Sequence, residues 1–225
     1  MKEQLQKDFD NIIRNLSLSQ RDTEIKQFYL DNFINKGFPN RRDENWKFSD
    51  LNQIIKKNIG ELSFYNDYTS TNKVDTSLFV DGLEHNKIVF INGRIEKIDF
   101  DYERKDQIEI IDKSETINRF NNNNSLSDLN NAFTNKSFKI IVKNGYQLVK
   151  PLIIYHITNS DIWSKNINLR LDFELGKDSS LRLIDLFNDT SEKNFLNIFY
   201  NFDLKENAVL KNYKVDKLEN KNIKY

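Results

Sequence analysis

The chain contains no cysteine. On its own it therefore offers no disulfide, no thiol nucleophile and no thiolate metal ligand. Histidine is almost as scarce, with only His85 and His156. Two isolated histidines without cysteine are too few soft ligands for a usual metal site. Proline is limited to Pro39 and Pro151, and both read as turns. Net charge is also missing. Lys plus Arg number 34 and Asp plus Glu number 34, so the long-range attraction that non-specific nucleic-acid binding relies on is absent. Apolar runs such as Leu152 to Tyr155 fall far short of a bilayer span. The N-terminus, Met1 to Asp8, is charged and has no apolar signal core. Neither a Gly-x-x-x-x-Gly-Lys-Ser/Thr phosphate loop nor a Gly-x-Ser-x-Gly elbow occurs. The expectation is a cytoplasmic protein that binds neither nucleic acid nor membrane. At 225 residues it can bury a substantial core.

The first third has helical periodicity. Leu5, Phe9, Ile12, Ile13 and Leu16 form one stripe. Ser19 and Asp22 open a second helix as a capping box, with Ile25, Phe28, Tyr29 and Phe33 on its apolar face. Ser49 is the expected cap of a third, with Leu51, Ile54, Ile55 and Ile59 on one face. Tyr65 to Val74 reads as a loop, Asp75 to Gly82 as a short helix, and Ser125 to Phe133 as another, with Asp128 completing a capping box. Asn121 to Asn124 is a polar low-complexity tract.

Elsewhere the period is two. Lys87–Ile91 and Arg94–Phe100 flank Asn92-Gly93, a hairpin turn whose residues tolerate positive φ. Ile108–Ile111 is a further short strand. From residue 136 onward, six strands are expected: Phe138–Val142, Leu152–Ile157, Ile167–Leu175, Leu181–Phe187, Leu196–Leu204 and Val209–Val215. Turn signals at Asn159-Ser160-Asp161 and Asn188-Asp189-Thr190 separate some of them. Phe173 to Arg182 is echoed by Phe202 to Lys211 at an offset of 29 residues (202 − 173). Self-similarity at that period favours a β-solenoid. A β-sandwich is the alternative that short, evenly spaced strands also suit.

The connector between the second and third helices is unusually charged. It runs Gly37-Phe38-Pro39-Asn40-Arg41-Arg42-Asp43-Glu44-Asn45-Trp46-Lys47-Phe48-Ser49. Gly37 ends a helix, Pro39 forbids its resumption, and ion pairs plus the Trp46 ring are expected to lock the fold-back. With Pro39, Arg41, Glu44, Trp46 and Lys47 in register, this segment resembles the signature near the start of SufD proteins, members of the SufB/SufD family of the SUF iron–sulfur assembly system. Asn40 and Phe48 depart from it, where Thr and Tyr are usual. Ile88 to Arg94 and Asn144 to Ile154 resemble two later segments of the family.

The resemblance implies an α+β chain in which an N-terminal helical region is followed by a right-handed parallel β-helix. The expected regions are 1–85 (helical), 86–135 (a hairpin and helix connector) and 136–225 (first coils of the β-helix). The solenoid reads as truncated at its C-terminal end, so its last strand would be an open edge prone to self-association. The resemblance further implies a non-catalytic scaffold subunit that acts with a SufB-like subunit and a SufC-like ATPase. The ATPase would dock through a C-terminal region beyond Tyr225. No cofactor is expected on this chain alone. An iron–sulfur cluster is expected only in the full complex, at residues this chain does not carry.

Other candidates rest on the residues themselves. His85, in a polar turn, reads as a surface residue, and His156 as a satisfied core or edge histidine. Asp172, Glu174 and Asp185 would serve a carbohydrate-active enzyme, the alternative function, but Arg170 beside the first two favours a solvated mixed-charge face. An orphan β-solenoid interaction module is a third possibility. The strand from Phe195 to Leu204 is apolar on both faces. Phe195 and Phe199 are thus candidates for a surface covered by a helix or a partner.

Overall fold

The structure is a computed structural model that describes residues 2–16, 18–64, 75–113, 124–135, 137–159, 163–189, 193–216 and 223–224. The expected loop 65–74, the tract 121–123 and the turn residues 160–161 and 190 lie outside the described residues.

The helical periodicity of the first third produces α1 (Lys2–Asn15), α2 (Gln20–Lys36) and α3 (Leu51–Asn58). Ser19 caps α2 by accepting the Asp22 N–H. Gly37 ends it with φ +73°, a conformation glycine takes without cost. The period-two stretches form β1 (Asn86–Ile91), β2 (Arg94–Asp99) and β3 (Ile108–Lys113). A further helix, α4 (Ser125–Phe133), precedes β4 (Ser137–Val142), β5 (Leu152–Thr158), β6 (Asn166–Leu175) and β7 (Ser180–Asp189). The chain then forms β8 (Phe195–Leu204), β9 (Val209–Asp216) and β10 (Ile223–Lys224).

These strands form two five-stranded sheets, ordered β2-β1-β5-β7-β9 and β10-β8-β6-β4-β3. Their inner faces meet in one core, where Ile88, Phe90, Ile154 and Leu183 face Ile140, Leu169, Leu171 and Phe173. Each such fully buried side chain is worth about 1.5–3 kcal/mol relative to exposure. The outer face of the first sheet is covered over β1 and β5, where Leu78, Phe79 and Val80 pack on Val89, Ile153 and Tyr155. The outer face of the second is covered by helices. All nine residues of α4 are buried, between the sheet and the apolar stripes of α1 and α2.

A polar seam docks α4 on the sheet. Asn130 donates to the carbonyls of Leu169 and Asn197 at 3.1 and 2.7 Å. Asn197 donates to the Leu126 carbonyl at 2.9 Å and to Asn168 at 3.0 Å. Arg170 reaches Asn131 at 3.0 Å. The α4 ends are clamped by α2. Lys36 pairs with Asp128 at 2.8 Å. Buried Lys26 donates to the Thr134 and Asn131 carbonyls at 2.6 and 3.3 Å, which supplies partners to helix-end carbonyls. Burial lowers Lys26 to about 8, with Asp22 acting the other way. Burial also raises the Asp128 carboxyl, against the pull of Lys36.

At the start of β1, away from the Asn92-Gly93 turn, one carboxylate gathers four donors. Glu103 accepts from Asn86 (2.8 Å), the Tyr146 hydroxyl (2.6 Å), and the N–H groups of Val149 (3.1 Å) and Lys150 (3.0 Å). Burial alone would raise this carboxyl, but the four hydrogen bonds prevail and hold it below its usual value.

The right-handed parallel β-helix expected from the sequence is not what forms. The chain is α/β, with two mixed sheets. Each sheet joins parallel pairs to one antiparallel pair, β1–β2 in the first and β3–β4 in the second. Two local features account for the antiparallel members. Asn92-Gly93, with φ +52° and +81°, reverses the chain between β1 and β2. Between β3 and β4 the chain passes through α4, which leaves the sheet to join the helical layer. The 29-residue echo survives as ladder register. Phe173 lies beside Phe202 and Ser180 beside Val209, and Asn207 bonds Asp178 across the two turns at 2.9 Å. A repeat of this kind fixes which residues neighbour one another within a sheet. It does not fix how the sheets close.

Smaller expectations also shift. The α3 cap is Asp50, which accepts the Gln53 N–H, not Ser49. The α4 cap is Asn124, and Asp128 serves the pair with Lys36 rather than a capping box. Asp75 to Gly82 contains only a short turn of 3₁₀ helix, Thr76–Leu78.

Candidate interaction site: an open sheet edge beside a buried polar cluster

The connector folds back through backbone contacts. The Leu51 N–H donates to the Pro39 carbonyl at 3.0 Å, and Asp43 accepts the Asn40 N–H at 2.8 Å. Phe38 and Pro39 are buried, and Trp46 is half-buried against the helical core. Arg41, Glu44 and Lys47 are exposed, and among the described residues no ion pair locks them together. Lys47 instead lies 5.0 Å from the ring of Phe48, which is 86% exposed. The family-like residues thus split into a buried hinge and an exposed charged rim.

The other candidates are not brought to one place. Asp172 and Glu174 point to the outer face of the second sheet, held by Arg170 at 3.3 Å and by Lys139 respectively. Asp185 is buried between the sheets. The three carboxylates assigned to the carbohydrate-active alternative therefore do not converge. Phe195 is fully buried and packs on Phe38 at 6.0 Å, inside the chain's own helical core. Phe199 is half-buried beneath the Arg170 guanidinium at 4.9 Å. Asn168 and Arg170 lie buried under α4 rather than on a solvated face.

Both histidines are internal. His85, expected at the surface, is buried. Its Nε2 accepts the Tyr155 hydroxyl at 2.8 Å, and its Nδ1 donates to the Leu83 carbonyl at 2.6 Å. This pins the segment 78–85 to the first sheet. His156 projects between the sheets, stacked between Phe90 and Phe187 at 5.7 and 4.8 Å. Its Nε2 lies 3.2 Å from Asp185 Oδ1 and 3.0 Å from the Tyr200 hydroxyl. Tyr200 in turn donates to Asp185. Burial and the Asp185 charge raise Tyr200 well above the usual phenol value, so it stays a proton donor. The group joins β5 and β7 to β8 across the core. It is closed by mutual hydrogen bonds, as buried polar groups require.

Next to this cluster the molecule is open. Among the described residues, β9 pairs only with β7, along its full eight residues. Val209, Tyr213 and Val215 are 50, 56 and 47% exposed, and Leu204 at the end of β8 is 45% exposed. An edge strand of this length presents a row of backbone donors and acceptors to any strand that can lie beside it. Two lysines punctuate it. Lys211 sits beside Arg182 in the ladder, and Lys214 beside Asp185. The Asp185 carboxylate is already engaged by Tyr200 and His156, and Lys214 lies over the Phe187 ring at 5.5 Å. Alternation hinted at this edge, but the placement of lysine against arginine needs the register, which the sequence does not display. The inward convergence of His156, Asp185 and Tyr200 was missed for the same reason.

No protein-family model matches the chain, and no curated protein matches it. Among the described residues no helix is long and apolar enough to cross a membrane.

Proposed function

We propose that the chain is a non-catalytic scaffold subunit that resembles SufD and works with a SufB-like subunit and a SufC-like ATPase in iron–sulfur cluster assembly. The observation that carries this reading is the edge of β9, which among the described residues pairs with β7 alone and carries exposed apolar side chains along its eight residues. A scaffold functions through such a surface, because strand addition supplies backbone hydrogen bonds and side-chain pockets together. The motif of Pro39, Arg41, Glu44, Trp46 and Lys47 supports the same assignment. The cluster is cargo of the complex, held by residues of the partners, and the chain's contribution is geometric. Co-expression with SufB-like and SufC-like proteins, followed by affinity capture on the SufB-like subunit, tests this. The chain is expected to co-purify in a fixed ratio. Recovery of a SufB–SufC complex that excludes the chain would overturn the reading.

A further inference from the structure

We propose that Asn144-Gly145 is a site of spontaneous covalent modification, where the Asn144 amide is lost through a cyclic imide to leave aspartate or isoaspartate. The chain holds two Asn-Gly dipeptides, Asn92-Gly93 and Asn144-Gly145. In both, the second residue has no Cβ to hinder its backbone nitrogen. That nitrogen attacks the asparagine Cγ. The new N–Cγ bond forms, the Cγ–Nδ2 bond breaks, and Nδ2 leaves as ammonia with the proton of the glycine N–H. Water then opens the imide. Cleavage of the N–Cγ bond leaves aspartate in an ordinary backbone. Cleavage at the asparagine backbone carbonyl leaves isoaspartate, with the chain routed through Cγ.

The structure separates the two dipeptides. Asn92 is buried. Its Nδ2 donates to Asn159 Oδ1 at 2.7 Å, and its Oδ1 accepts the Asn159 N–H at 3.1 Å. Its own N–H donates to the Ile157 carbonyl at 2.9 Å. Gly93 packs so closely on Ile167 that an added Cβ would lie 2.7 Å from the Ile167 Cγ2. Ring closure there breaks a buried clasp and strands polar groups away from water. Asn144 is exposed. Its Oδ1 accepts the Lys177 N–H at 2.8 Å, and among the described residues its Nδ2, the leaving group, has no partner. The Gly145 N–H donates to the Lys177 carbonyl at 2.7 Å. One residue of the neighbouring turn therefore holds both reacting groups. A single local opening frees them, and water replaces the bonds lost. The isoaspartate product does not fit this turn. A Cβ on Gly176 would lie 2.6 and 2.9 Å from the Asn144 N and Cα, so an extra backbone atom at Asn144 has no room against Gly176.

Incubation of the full chain at mildly alkaline pH, native and in urea, tests this. Peptide mapping by mass spectrometry follows both sites, and an isoaspartyl methyltransferase reports the isoaspartate. In the native chain Asn144 is expected to convert at least about tenfold faster than Asn92, as the buried hydrogen bonds of the clasp allow. In urea, where the clasp is gone, the two rates should converge. Asn159→Ala should speed conversion of Asn92 and leave Asn144 unchanged. Chain carrying the isoaspartate should unfold at lower urea than Asn144→Asp, which has the same charge without the extra backbone atom. Equal native rates, faster conversion of Asn92, or an Asn144 that converts in urea but not in the native chain would overturn the inference. Isoaspartate chain as stable as Asn144→Asp would overturn the clash with Gly176. Should Asn159→Ala fail to fold, the comparison of native and urea rates in the parent decides alone.

Discussion

The outer face of the second sheet and the free edge of the first are built from similar residues but finished differently. On the covered face, Phe195, Asn197, Asn168 and Arg170 could each have stood at a surface. Instead α4 lies across them, and almost every polar group there finds a partner within the chain. On the free edge, Tyr213, Val215, Lys211 and Lys214 are of the same apolar and polar types, but among the described residues no second element lies across them. The contrast separates residues enclosed by the fold from residues that stay exposed at its edge. Substitutions on the covered face should act on stability. Substitutions on the edge should act on association.

The largest effect is expected at Phe195→Ala. The ring is fully buried between the sheet and Phe38, and its loss should cost about 3–5 kcal/mol in urea unfolding. A cost below about 1 kcal/mol would mean that the helical layer does not seal the sheet.

Lys26→Met comes next. It removes the donor to the Thr134 and Asn131 carbonyls, at a cost of about 1–3 kcal/mol. The variant should also change the pH dependence. Lys26 titrates at about 8 when folded, against an ordinary 10.5. The unfolded chain therefore binds more protons in that interval. Lys26 should make the parent gain stability as pH rises from about 8 to 10.5, and the variant should lose this gain. Parallel unfolding curves across that range check it.

Glu103→Gln probes the junction between the start of β1 and the entry to β5. The carboxylate accepts four hydrogen bonds, and its replacement should cost about 1–3 kcal/mol at neutral pH. Because the folded carboxyl lies below its usual value, its contribution is present above the unfolded pKa. It is lost as pH falls through the folded one. The gap between variant and parent should therefore narrow in acid. A gap that widened on acidification would contradict the assignment.

The smallest effect on stability belongs to Lys211→Glu with Lys214→Glu. Both side chains are exposed, and the pair should move the unfolding free energy by no more than about 0.5 kcal/mol. A large loss would show that the edge is part of the fold and not a free surface.

Much of this organisation was legible in the sequence, and the part that was not has a common cause. The α2 cap at Ser19, the stop at Gly37, the Asn92-Gly93 hairpin and the strand segments were all visible, because each depends on neighbours in the chain. Even the ladder offset showed itself, in the echo between Phe173 and Phe202. The closure of the sheets did not. The mixed arrangement depends on α4 leaving the sheet and lying on β6 and β8, which rests on contacts such as Asn130 to Asn197, far apart in sequence. The same long-range contact put Phe195 in the core, where its pattern had also allowed a partner surface. His85 was misplaced because its burial depends on Tyr155, seventy residues away. Trp46 is half-buried rather than wholly enclosed, so it stabilises the connector less than a full core aromatic would.

The account's central claim is that β9 is the surface the chain presents to its partner. Hydrogen–deuterium exchange on the chain, free and mixed with the SufB-like subunit, tests it most directly. Slowed exchange confined to Val209–Asp216, with Asn166–Leu175 unchanged, is the predicted result. Protection that appears on the helical layer instead, with β9 still exchanging freely in the complex, would contradict it.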